Sequence, residues 1–405
     1  MNRRTPGLSF IFLTLLLDVL GFGLLIPVGP HLVEQLQGGT TDEAAKIVGY
    51  LGATYAAMQF LFAPILGALS DRFGRRPVLL VSMFGSGLDY FAMAIAPTVP
   101  WLFVTRVLNG ISGASMTAAS AYIADVTPPE KRAAGFGIIG AAFGLGFVLG
   151  PLLGGILGHY DIRYPFYAAG AITLLNWLYG YLILPESLPP EKRRKAEGFR
   201  WDPLAALAIL QKYPFVNRIA VALFLLNLAQ FGLHATWVFY TGYRYGWDTE
   251  QVGYSLFAVG IGAAIVQGGL ARRIIPKLGE RRSVLAGFVI GAAAYVGYGA
   301  ASEGWMIYVV IGLASFGGIA MPACQSLVTK SVRPDEQGQV QGAITSATSL
   351  ANIFGPLIGS QIFAWSISKA VQPAMPGLVF FSCAAMGVAG GLVALYALKQ
   401  SRIAA

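Results

Sequence analysis

The chain is poor in the residues that fold in water or perform covalent chemistry. Only 12% of its 405 residues are charged, against about 25% in an ordinary soluble domain. It has three histidines and two cysteines. Cys324 and Cys383 both fall in apolar stretches, so no disulfide framework is expected, and no metal site either. No phosphate-binding glycine loop and no nucleophile–base set is present, so an enzyme is not expected. Long polar tracts are also scarce. The one example, PESLPPEKRRKAEGFRWDPLAALAILQKYP, covers 185–214. What remains is apolar: 56% of the residues are hydrophobic and mean hydropathy is +0.63. A spanning helix needs ~20 mostly apolar residues. Twelve stretches qualify, at 8–36, 46–70, 78–97, 100–125, 133–157, 164–185, 218–242, 250–272, 282–301, 305–328, 337–368 and 377–398. An outer-membrane barrel would show short alternating segments instead. The start, NRRTPGLSFIFLTLLLDVLGFG, mimics a secretory or twin-arginine signal. Its apolar run is too long and no small-residue cleavage site follows, so it is expected to remain as the first helix.

The formal net charge of +9 does not point to nucleic acid, because the basic residues sit in alternate loops. With both termini inside, cytoplasmic segments hold Arg3 and Arg4, the group Arg72, Arg75 and Arg76, Lys131 and Arg132, and the central cluster from Lys192 to Arg218. They also hold Arg272 to Arg282, Lys330, Arg333, Lys399 and Arg402. Of the 28 basic residues only Lys46, Arg106, Arg163, Arg244 and Lys369 fall elsewhere. This asymmetry sets the orientation. The polar tract then divides the chain into a six-helix half at 1–185, a cytoplasmic linker at 186–217 with an amphipathic helix near 203–211, and a second six-helix half at 218–405.

The halves repeat at an offset of 205 residues. GPLLGG at Gly150–Gly155 matches GPLIGS at Gly355–Ser360, PEKR at 129–132 matches PDEQ at 334–337, and Gly74 matches Gly279. Such a repeat suits a transporter. The fold expected is an all-α membrane protein with twelve transmembrane helices in two pseudo-symmetric halves.

Three charges lie deep inside the apolar stretches of the first half, away from their ends: Asp18 in LLLDVLGFG, Asp89 in GSGLDYFAM and Arg106 in FVTRVLNG. Each costs at least ~2.5 kcal/mol at the bilayer centre. A carboxylate there can hold a proton or a cation, hardly both, and that competition is an exchange mechanism in outline. The structural alternative is an ion pair between Asp89 and Arg106 that only joins two helices. Tyr55 and Gln59, four apart on one helix, can share a surface, and Asn109 lies one turn beyond Arg106. The loop GALSDRFGRRPVLL supplies Gly67, Asp71, Arg72, Gly74, Arg75 and Arg76, a charged cluster able to latch one conformation; ordinary topology signalling is the alternative. In GLGFVLGPLLGG, the glycines 144, 146, 150, 154 and 155 with Pro151 form a small-residue stripe, or simply pack helices. In the second half Gln230, His234, Gln267, Gln325 and Asn352 are the polar candidates, with Trp237, Phe239 and Tyr240 as packing or belt aromatics. His31 and His159 lie near helix ends and are expected at the interface.

These motifs resemble the major facilitator superfamily, and its twelve-helix drug/proton antiporter branch in particular. LDVLGFGLLIPVGP, RVLNGISGASMTAASAYIAD and the GLGFVLGPLLGG antiporter motif carry the likeness. YAAMQFLFAPILGALSDRFGRRPVLL, GSGLDYFAMA, RYGWDTEQVGYSL, SEGW and GGIAMPACQSLV are similar to tetracycline/proton antiporters over nearly the whole chain outside the central loop. The resemblance implies that Asp18, Asp89 and Arg106 are needed for transport; His234, by the chemistry of its imidazole alone, is able to assist as a relay near neutral pH. It implies a proton gradient rather than a cofactor, and a drug that can arrive as a divalent-metal chelate. It further implies a bacterial inner membrane, a monomer, and lipid and small-molecule partners with no nucleic acid. The chain departs from that family where it generally has a His in helix eight and an Asp in helix nine. Those positions read Ala263 and Gly291 here, so proton coupling is expected to run through the first half. The alternatives are export of another amphipathic drug or sugar-like metabolite, and a membrane solute sensor that does not transport.

Overall fold

The computed structural model describes residues 8–113, 115–126, 132–193 and 205–403, with side chains omitted at 8–11, 115–117, 132–139, 192, 205–206 and 401–403. Arg3, Arg4, Arg194, Lys195, Arg200 and the PEKR loop at 129–132 lie outside these residues, apart from the backbone of Arg132. The first half consists of α1 (Leu8–Leu25), α2 (Gly29–Gln37), α3 (Thr41–Phe73), α4 (Arg75–Ala94), α5 (Val99–Ser112), α6 (Ser115–Val126), α7 (Arg132–Tyr160) and α8 (Tyr164–Ile183). The second consists of α9 (Pro214–Tyr245), α10 (Thr249–Ile265), α11 (Ala271–Leu278), α12 (Glu280–Ala300), α13 (Gly304–Gly317), α14 (Ala320–Lys330), α15 (Gln337–Ile367) and α16 (Leu378–Ile403). No strand occurs among the described residues.

Eleven spans are long and apolar enough to cross a bilayer, among the described residues. The twelfth stretch, 100–125, is divided into α5 and α6 on either side of position 114. The first stretch is also broken: a turn follows Leu25, and α2 restarts with Pro30 in its first turn, where a missing N–H costs nothing. α3 runs 33 residues, about 50 Å at 1.5 Å per residue. That exceeds a ~30 Å hydrocarbon core, so its ends project or it tilts. The amphipathic segment expected near 203–211 is a 3-10 helix over Ala205–Lys212. Its Leu210 is buried against Val216, Ile219 and Val340.

The chain forms two compact units. The first takes Met1–Gly38, Thr54–Trp201 and Asp248–Phe257; the second takes Gly39–Ala53, Asp202–Trp247 and Ala258–Ala405. In the first, α1 packs on α7 through glycine. A Cβ on Gly150 would lie 2.7 Å from Gly23 Cα, and one on Gly154 2.1 Å from the Leu24 carbonyl oxygen. In the second, α9 packs on α15 in the same way. A Cβ on Gly359 would lie 2.7 Å from Gly232 Cα, and one on Gly355 2.9 Å from the Leu228 oxygen. Gly150 and Gly154 of α7 correspond at the 205-residue offset to Gly355 and Gly359 of α15, although their partners Gly23 and Gly232 do not, so the repeat seen in the letters is a repeat in which helices pack through glycine. Lipid gives helices little hydrophobic reason to associate, and close backbone approach through small residues supplies dispersion contact instead.

Candidate functional site

The intramembrane charges of the first unit converge. Asp89 on α4 is buried, and its Oδ2 accepts a 2.6 Å hydrogen bond from the Asn109 amide on α5. Its Oδ1 is buried with no hydrogen-bond partner. Arg106, one turn before Asn109, stacks over the Tyr55 ring at 5.9 Å and reaches Met93 Sδ. Among the described residues no ion pair joins Asp89 to Arg106, so these two charges do not form the simple helix–helix bridge. Both remain in electrostatic reach of Tyr55, as does Asp18. Asp18 is half-buried on α1. Tyr90, next to Asp89, is buried within reach of Asp18 and Tyr55.

Glycines on α5 make this meeting possible. A Cβ on Gly110 would strike Tyr55 O at 2.7 Å and Met58 Cβ at 2.6 Å, and one on Gly113 the Tyr55 hydroxyl at 2.8 Å. Gln59 donates to Gly113 O at 3.2 Å and to the Tyr55 hydroxyl at 3.4 Å. So α3 and α5 lie in contact, with Tyr55, Gln59, Arg106 and Asn109 in one neighbourhood. Tyr90 and Met93 were not singled out from sequence. Both lie one turn or less from Asp89, and helical spacing alone could have found them.

The charged loop has more partners than its letters suggest. Arg75 donates to Asp71 Oδ1 at 2.5 Å, to Asp125 Oδ2 at 3.1 Å and to Ser70 Oγ at 3.1 Å. Gly74, at φ +105, precedes α4. Its φ favours glycine, and a Cβ there would sit 2.2 Å from Glu186 Oε2 and displace that carboxylate. The Glu186 carboxylate accepts from the Arg75 and Arg76 amides at 2.9 and 3.3 Å, capping α4 where the helix dipole favours an anion. Arg76 also donates to Tyr181 O, while Arg72 lies over the Phe73 ring. Gly67 sits within α3. Asp125, Ser70 and Glu186 were missed from sequence. Glu186 read as the start of a linker, and its role needs the fold.

The second unit carries a counterpart with charges exchanged. Adding 205 to Arg75 and Asp125 gives Glu280 and Lys330. These two form an ion pair at 2.6 Å, with Ser326 Oγ donating to the same Glu280 oxygen at 2.5 Å. Gly279, the partner of Gly74, likewise has positive φ, +83.

Other candidates in the second unit are dispersed. Gln230 contacts His234 Nε2 at 2.8 Å and accepts from the Tyr295 hydroxyl at 3.2 Å, a short polar chain joining α9 to α12. Gln267 lies in a π-helical turn, Val266–Leu270, between α10 and α11. Such a turn is a frequent mark of functional positions, and the letters gave no sign of it. Trp237, Phe239 and Tyr240 are buried in packing. The glycine stripe of α7 serves two neighbours: Gly146, Gly150 and Gly154 meet α1, whereas Gly155 meets Thr249 O and Gly253 at the start of α10, and the Pro151 carbonyl lies 2.8 Å from a Cβ on Gly253.

The fold and these motifs have known relatives. The Major Facilitator Superfamily profile matches residues 11–356 and 273–404. The tetracycline resistance protein, class C, of Escherichia coli is 39% identical over 366 residues, covering 90% of this chain and 92% of that protein. The class B protein of Escherichia coli is 36% identical over 355 residues, 87% of each. The crystal structure of the human organic anion transporter MFSD10 has a TM-score of 0.71 at 27% identity, covering 96% of this chain and 98% of that one. The chain is therefore a member of the major facilitator superfamily, a multi-pass membrane transporter with tetracycline-resistance relatives along most of its length.

Proposed function

We infer that this transporter exports tetracycline-like amphipathic drugs across a bacterial inner membrane in exchange for protons. Both termini face the cytoplasm, no resident cofactor takes part, the monomer suffices, and the drug can arrive as a divalent-metal chelate. The observation that carries the reading is the Asp89 carboxyl. It is buried, tied on one side to the neutral Asn109, and unpartnered on the other. An uncompensated buried charge is costly, so the open oxygen is a place for a proton or a cationic group of the drug. When the drug's cation arrives the proton leaves, and the two are exchanged. Arg106, held by Tyr55 and Met93 rather than by Asp89, biases that competition electrostatically. Asp18 is the second carboxyl within reach. Antiport is supported by the tetracycline-resistance relatives and by these carboxyls together. In proteoliposomes holding the full chain, an imposed pH gradient drives tetracycline uptake into inside-out carriers. Flux indifferent to the gradient would rule out antiport and leave a facilitator or a solute sensor.

A second substrate reading follows from Arg106, a cation with no carboxylate partner among the described residues. It suits an anionic amphipathic solute, in keeping with the relative titled an organic anion transporter. A drug-susceptibility panel in an efflux-deficient host decides between them.

A further inference from the structure

Three groups of metal-ligand type meet at one end of the first unit, remote in sequence from its intramembrane charges. His159 ends α7, and Asp248 and Glu250 open α10. One ligand atom from each, His159 Nδ1 and a carboxylate oxygen from each acid, lies within 4.8 Å of the others. The Nδ1 is 3.4 Å from Asp248 Oδ2 and 3.9 Å from Glu250 Oε2. We propose that His159, Asp248 and Glu250 form a surface site for a borderline divalent cation of the Zn²⁺ class, tying the end of α7 to the start of α10.

Distances, orientation and charge each support it. A tetrahedral ion with bonds of ~2.1 Å places its ligand atoms roughly 3.4 Å apart. The His159–Asp248 distance already matches, Glu250 lies about half an ångström too far from His159, and the two carboxylate oxygens, within 4.8 Å of each other, close further on the ion. Each carboxylate spends one oxygen elsewhere. Asp248 Oδ1 accepts from the Gln251 amide at 2.9 Å, and Glu250 Oε1 from the Tyr254 hydroxyl at 2.5 Å. The oxygens left over are the two aimed at His159, an arrangement in which outer partners orient the ligands. Two carboxylates facing each other repel. Among the described residues no lysine or arginine pairs with either. A cation supplies the missing charge, and the imidazole selects a nitrogen-preferring metal over Mg²⁺ or Ca²⁺. The two segments are held below the site by glycine packing, where Thr249 Oγ1 donates to Gly155 O at 3.2 Å, so the ligands are brought together before any ion binds. No sequence spacing announces this site, because its ligands lie 89 and 91 positions apart.

The test is Zn²⁺ titration of the purified full chain, tag-free and chelator-treated, by calorimetry and by thermal shift. One equivalent is expected to bind. His159→Ala is expected to weaken it by at least tenfold, and Tyr254→Phe by roughly tenfold through the outer partner alone. His159 is 52% exposed, so its variants fold; Glu250→Gln provides a second one. His31→Ala, which removes the other histidine beside an acid, is expected to change nothing, and millimolar Mg²⁺ is expected not to displace the ion. Wild-type binding by His159→Ala and Glu250→Gln overturns the site, as does equal competition by Mg²⁺, which marks a plain acidic patch. Absence of any Zn²⁺ binding to the wild type overturns it too. None of these readouts depends on which substrate is exported or on proton coupling.

Discussion

Asp89 and Asp18 differ in what surrounds them, and the difference is testable. Asp89 has one oxygen on Asn109 and one free; Asp18 is only half-buried. Asn at either position keeps the shape but cannot release a proton. Asp89→Asn is expected to lower pH-driven flux by about 100-fold or more, the scale of a lost proton-transfer group, with the protein still in the membrane. Asp18→Asn is expected to reduce flux strongly as well. Wild-type drug resistance from both variants at equal expression would show that these carboxyls are structural. The second residue-scale prediction concerns an absence. Gly291 stands where tetracycline/proton antiporters generally carry an Asp, and a Cβ there would meet nothing within 4 Å. Gly291→Asp is thus sterically acceptable, at ~2.5–3.5 kcal/mol for a charge in a helix centre. It is expected to steepen the dependence of flux on the pH gradient by adding a titratable group. An unchanged slope in proteoliposomes would mean that position 291 is unconnected to coupling. These residues were legible in the letters because a charge in an apolar stretch is costly enough to need a reason. Their partners were less so: a neutral Asn, a Tyr face and a Met sulfur carry no such signal.

At the scale of elements, the repeat explains why two ion pairs occupy equivalent loops, and burial explains why they differ in weight. Arg75 is 9% exposed and has three side-chain acceptors. Breaking a buried pair leaves an uncompensated charge, at ~3–5 kcal/mol. Lys330 is 67% exposed in its pair with Glu280, and exposed pairs contribute ~0–1 kcal/mol. Asp125→Ala and Asp71→Asn are therefore expected to slow drug efflux severalfold at equal expression, and Lys330→Ala only mildly. The double exchange Glu280→Lys with Lys330→Glu, which keeps the pair with its polarity turned, is expected to transport better than Lys330→Ala, since the polarity of that pair is already the reverse of the first unit's. Equal impairment by Asp125→Ala and Lys330→Ala would overturn the burial argument. The letters showed the loop motif and the offset. They concealed the exchange, because neither Glu280 nor Lys330 resembles the residue it replaces, and only the paired distances show that the pattern is kept with signs swapped. The glycine stripe was visible, but its division between α1 and α10 was not, since two faces of one helix look alike in a string of glycines.

For the whole molecule the open question is which side faces in. Helix number and length follow from apolar run length, since every backbone group in lipid must be satisfied within its own helix. Orientation follows from a subtler bias in the loops, and it decides which face carries the charged loop of Arg75. The native cysteines are buried, Cys324 fully and Cys383 nearly so, so a membrane-impermeant thiol reagent meets little background. Gly39 and Lys369 are exposed on loops assigned to the outside, and Glu191 is exposed in the central linker assigned to the inside. Position 246 is less suitable, because Gly246 adopts φ +69 and a side chain there is strained. In intact cells, cysteine at 39 or 369 is expected to label and cysteine at 191 to stay unlabelled until the membrane is opened. Labelling at 191 from outside would invert the molecule. The basic loops would then face outward, against the rule that places them, and the Arg75 cluster with Asp71 and Asp125 would lie on the outer face, while the exchange at Asp89 and Asp18, driven by the proton gradient, would still carry the drug outward.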